Sequence, residues 1–132
     1  MSRIRPAAVA GLFYPADASQ LHRDIRSMLE SVEVTEKAPK ALIVPHAGYI
    51  FSGPIAASAF AQLKSNSARI KRVILLGPCH RVPLRGLATS SADFFETPLG
   101  RVKIDHEAIN MIASLPQVRE FDLTHEQEHS LE

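Results

Sequence analysis

Two four-residue apolar runs, Ala41-Leu42-Ile43-Val44 and Val73-Ile74-Leu75-Leu76, stand between amphipathic stretches of this chain. Each run is continuous rather than alternating, which predicts a strand buried on both faces. Pro45 and Gly77-Pro78 end them, because proline has no N–H to give to a ladder. Upstream, residues 9–15 read as a short apolar entry segment. Asp17 or Ser19 can then cap a helix that carries Leu21, Ile25, Met28, Leu29 and Val32 on one face. A polar connection over 33–40 follows. Between the two runs, Ser52 as N-cap and Pro54 in a first turn predict a second helix. Its apolar face is Ile55, Ala56, Ala59, Phe60 and Leu63, with a polar exit over 64–69.

Beyond the second run the pattern changes. Residues 87–90 read as a third strand. Residues 94–97 and 101–104 read as a hairpin, with Gly100 available for positive φ in its turn. Asp105 predicts the start of a helix bearing Ala108, Ile109, Ile112 and Ala113. The acidic and polar residues 124–128 look like the beginning of a further element. Alternating strands and helices predict an α/β fold, with no internal repeat.

The chemistry follows from where the two runs end. His46 and His80 lie just past them, 34 positions apart, and a βαβ unit takes roughly 30 or more residues. Parallel strands joined in this way put their carboxyl ends on the edge of the sheet where open α/β folds bind ligands. Two imidazoles there are expected as metal ligands or as an acid/base pair, against the plainer reading of hydrogen-bonded structural histidines. Neutral imidazole suits zinc, copper, iron and nickel. His129 is the best third histidine, Glu128 beside it can supply oxygen, and His125 and His129 would share a face of a helix. Tyr49, three residues after His46, is a candidate to hydrogen-bond a ligand or to pack as a wall. Cys79 is either a reactive thiol beside His80 or an inert small apolar residue. His22 and His106 read as solvated.

Composition narrows the classes. The chain has 132 residues, 45% hydrophobic and 22% charged, with net charge +1. That suits one globular domain and gives no electrostatic case for nucleic acid. The apolar runs are far shorter than the roughly 20 residues of a membrane span. The N-terminus lacks the apolar core of a signal peptide. A single cysteine excludes an internal disulfide and fits a reducing cytoplasm.

Five stretches resemble the Memo-like family, whose prokaryotic members are called AmmeMemoRadiSam system protein B. They are Arg5-Pro6-Ala7-Ala8-Val9-Ala10-Gly11-Leu12-Phe13-Tyr14-Pro15, Pro45-His46-Ala47-Gly48-Tyr49-Ile50-Phe51-Ser52-Gly53, Gly77-Pro78-Cys79-His80, Thr97-Pro98-Leu99-Gly100 and Glu128-His129-Ser130-Leu131-Glu132. The resemblance implies a Rossmann-like three-layer sandwich with a mainly parallel sheet, similar to class III extradiol ring-cleaving dioxygenases. It implies metal ligation by His46 and His80, with iron or copper as the metal and zinc as an alternative. The family's third metal-site residue is a cysteine from a later strand, which Cys79 does not match. Family members continue past the Glu-His-Ser-Leu-Glu motif. The chain is therefore expected to be a single, truncated Memo-like domain over 1–132, although a terminal Leu-Glu also reads as a cloning scar.

Two functions are weighed on this basis. One is a metal-dependent redox or dioxygenase-like enzyme, with His129 as catalytic acid/base acting on a small-molecule substrate. The other is a non-catalytic peptide- or protein-binding module on the same fold. Radical-SAM and AMMECR-type proteins are implied as functional neighbours by the resemblance.

Overall fold

The structure, a computed structural model, describes residues 1–35 and 38–132. Residues 36 and 37, within the expected polar connection, lie outside the described residues. The chain divides into two compact units, Gly11–Leu76 and the pair of segments Met1–Ala10 and Gly77–Glu132. The fold is α/β, as the pattern predicts. Among the described residues no helix is long and apolar enough to cross a membrane.

In the Gly11–Leu76 unit, helix α1 (Ala18–Glu30) begins where expected. Asp17 accepts the Gln20 N–H at 2.8 Å, satisfying one of the amides that a helix start leaves open. Its face is as predicted up to Leu29, with Leu21 buried; Ser31 caps it before Val32. Helix α2 (Tyr49–Phe60) starts three residues before the expected Ser52 cap. The Tyr49 N–H bonds the Phe13 carbonyl at 2.8 Å, so an outside acceptor replaces a side-chain cap. Ser52 instead donates its hydroxyl to the Ala47 carbonyl at 2.8 Å, and Pro54 lies inside the helix.

The buried face of α2 also differs from expectation. Ser52, Gly53 and Ala57 are buried, with Ala61 beyond them, whereas Ile55 and Phe60 are exposed. A Cβ on Gly53 would stand 2.7 Å from the Met28 sulfur, so the Met28 side chain of α1 rests against the bare Cα of Gly53. A 3₁₀ segment, Ala61–Arg69, continues from α2.

The two apolar runs correct the strand prediction. Residues 41–44 and 73–76 form neither helix nor strand, and Ile43, Val73, Ile74, Leu75 and Leu76 are exposed. A parallel strand buried on both faces needs a hydrogen-bonded neighbour and covered faces. Among the described residues, these runs pair with no strand.

The other unit holds two small sheets. Strand β1 (Ile4–Arg5) pairs parallel with β3 (Phe94–Thr97), and β3 pairs antiparallel with β4 (Gly100–Lys103). Strand β2 (Leu87–Thr89) pairs parallel with β5 (Val118–Glu120), an element the pattern did not predict. The hairpin forms as expected, with Gly100 at φ 131° and Thr97 accepting the Leu99 N–H. Asp105 caps α3 (His106–Ile112) through the Ala108 N–H at 2.9 Å.

The expected element at 124–128 is the short helix α4 (Leu123–Glu126), which ends before residue 128. His125 and His129 therefore do not share a helical face. His125 packs edge-on to Phe95, with ring centroids 5.8 Å apart.

Arg5 knits this unit together. Its side chain is 6% exposed and pairs with Glu132, which is 4% exposed. The guanidinium also donates to the His125 carbonyl at 2.9 Å and to the Glu128 carbonyl. Glu132 in turn accepts the Ala8 and Val9 N–H groups at 2.7 and 3.2 Å. The residue that read as a cloning scar is thus a packed partner of the first strand. Removing one member of a buried pair strands the other, at a cost of about 3–5 kcal/mol. Arg5→Met should lose about that much in urea unfolding, and adding Glu132→Leu should restore part of it. A single variant as stable as the parent would contradict this role.

Candidate metal centre

The site-bearing loop begins where α4 stops. Arg5 holds the carbonyls of His125 and Glu128, and Thr124 donates its hydroxyl to the Phe121 carbonyl at 2.6 Å. The Glu128 side chain is 4% exposed and turns back over its own loop, accepting the His129 and Ser130 N–H groups at 2.9 Å each.

The Gly-Pro-Cys-His segment meets the same loop. Ser130 donates its hydroxyl to the Pro78 carbonyl at 2.8 Å. A Cβ on Gly77 would lie 2.5 Å from the Ser130 oxygen, so only glycine permits this approach. Glu128 then accepts the His80 backbone N–H at 2.6 Å and faces the His80 Nδ1 at 2.8 Å. Two motifs separated by nearly fifty residues become one piece of structure.

These contacts arrange two imidazoles. The rings of His80 and His129 stack with centroids 4.6 Å apart and planes 19° apart. The Nδ1 atoms lie 2.8 and 3.5 Å from the same Glu128 oxygen. Both Nδ1 edges therefore face the carboxylate, which turns the Nε2 edges away from it. A nitrogen of each ring lies within 4.8 Å of one on the other. The donor set fits a borderline transition metal.

Burial pushes the Glu128 carboxyl up, but hydrogen bonds from the His80 backbone and ring, Ser130 and His129 outweigh it and hold it at about 2. Glu128 is therefore an ionised acceptor for these donors. An open cleft of about 410 Å³ runs beside His80, lined by residues 77–84 and Gly86. Cys79 is half-buried, with its sulfur 3.9 Å from the Thr124 carbonyl.

His46 and Tyr49 belong to the Gly11–Leu76 unit. His46 is half-buried in the loop before α2, and the run 41–44 leading to it forms no strand. Tyr49 opens α2 with its ring 5.5 Å from that of Tyr14, and burial raises its pKa, so the hydroxyl stays protonated. Sequence reasoning found both stacked histidines but missed Arg5 and the acceptor role of Glu128. The available signal was that both residues fall inside the quoted motifs.

A model of the family described as Memo-like protein matches residues 5–132. A MEMO1 family protein of Ignicoccus hospitalis is 41% identical over 98% of this chain and 49% of its own length. One from Aquifex aeolicus is 40% identical over 98% of this chain and 47% of its own length. Protein MEMO1 of Homo sapiens is 37% identical over 97% and 43% respectively. The chain spans about half the length of the curated relatives it matches.

The Glu128 cradle has a pH signature. A carboxyl lowered from 4.5 to about 2 stabilises the fold fully above about pH 4.5, and that contribution disappears as pH falls toward 2. Its size is about 3 kcal/mol at most. Glu128→Gln should therefore be less stable than the parent at neutral pH, with the gap closing in acid. Urea unfolding across that range measures it; a gap independent of pH would contradict the assignment.

Proposed function

Because the chain belongs to the Memo-like protein family, we propose that it binds a transition-metal ion through His80, His129 and His46. The observation that carries the reading is the His80–His129 stack gathered on one buried carboxylate. Carboxylate-backed imidazole is the usual arrangement of a metal-binding histidine. His46 joins on its place inside the Pro45-His46-Ala47-Gly48-Tyr49 motif.

Iron or copper is the proposed metal, with zinc also suited to imidazole. Bound iron or copper would supply redox chemistry. The residues of the chain hold the ion, and the open cleft beside His80 admits a small molecule. Tyr49, with a protonated hydroxyl, is the proposed hydrogen-bonding residue for a ligand on the Gly11–Leu76 unit. The close stacking of His129 on His80 favours a ligand role for His129 over a separate acid/base role.

Metal titration tests the reading. The protein should take up one equivalent of Fe(II) or Cu(II), and His80→Ala or His129→Ala should weaken binding at least about tenfold. The His46→Ala variant should do the same. Unchanged affinity in both His80→Ala and His129→Ala would overturn the metal reading and favour a peptide- or protein-binding module on this fold.

A further inference from the structure

We propose that Glu128 is a positioning residue that fixes His80 as the Nδ1–H tautomer, so that Nε2 carries the lone pair that meets a metal. This deepens the proposed function and rests on it. The geometry is specific to one ring nitrogen. The Glu128 Oε1 lies 2.8 Å from the His80 Nδ1, while its Oε2 takes the His80 backbone N–H at 2.6 Å. The carboxylate thus grips the residue at two points and sets both the ring's rotation and its tautomer.

An ionised carboxylate accepts hydrogen bonds and donates none, so a neutral ring facing it at Nδ1 must carry its proton there. The hydrogen bond made by one ring nitrogen determines the state of the other. Oε1 also accepts the His129 and Ser130 N–H groups, and the His129 Nδ1 stands 3.5 Å from it. The carboxylate cannot swing away from His80 without releasing its own loop. Arg5, bonded to the Glu128 carbonyl, anchors that loop from behind.

The Oε1 atom of Glu128 already faces three donors, the His80 Nδ1 and the His129 and Ser130 N–H groups, so it is occupied as a hydrogen-bond acceptor.

The test reads the tautomer without metal. Nitrogen-15 NMR of histidine-labelled, metal-free protein, at a pH where the ring is neutral, should show His80 protonated at Nδ1. In Glu128→Gln the Nδ1–H share should fall, and Zn(II) or Fe(II) affinity should drop about 10–100-fold. The amide spectrum checks that this variant is folded; if it is not, the wild-type tautomer still decides. An Nε2–H ring at His80 in the wild type overturns the proposal whether or not metal binds. An unchanged tautomer and affinity in folded Glu128→Gln also overturns it. A wild-type ring protonated at Nδ1 in a protein that takes up no metal overturns the metal reading alone.

Discussion

The guanidinium of Arg5 is the constraint on which the site depends. It is a buried cation, and a buried cation persists only where its donors are satisfied. Glu132 supplies the opposite charge, the carbonyls of His125 and Glu128 supply acceptors, and the Phe95 ring lies 5.1 Å beneath it. Strand β1 is only two residues long, so its pairing with Phe94 and Phe95 contributes little stability on its own. The ion pair joins that strand to residues 125–132, a segment whose one helix is a single turn. Without the cation, the irregular loop bearing Glu128 and His129 has no fixed reason to adopt one shape.

From that anchor the site assembles by hydrogen bonds rather than by secondary structure. Glu128 closes its own loop through two following amides and captures His80 at its backbone and its ring. Ser130 and the bare Cα of Gly77 let the two segments meet. The carboxylate remains ionised because its donors outweigh the cost of burial. One buried anion thus orders the Nδ1 edges of two stacked rings.

The parts legible from sequence are those governed by local rules. Asp17 and Asp105 cap their helices as read, and the Phe94–Thr97 and Gly100–Lys103 hairpin turns on its glycine. Motifs pointed to His80 and His129. What failed depended on partners distant in the chain. Residues 41–44 and 73–76 have strand composition but no strand neighbours among the described residues, so composition alone could not make them strands. Helix α2 was assigned the wrong face, because its small residues, not its large ones, meet α1. Strand β5, with a single apolar residue, shows no periodicity to read. Arg5 resembled any surface arginine until its contacts more than a hundred residues away were known.

The central claim is that these histidines coordinate a metal. X-ray absorption spectroscopy on the iron- or copper-loaded protein tests it most directly. The account predicts nitrogen scatterers at roughly 2.0–2.1 Å, with the outer-shell pattern of at least two imidazoles, and loss of that pattern when His80 and His129 are both replaced. A spectrum of oxygen scatterers alone, without imidazole features, would contradict it.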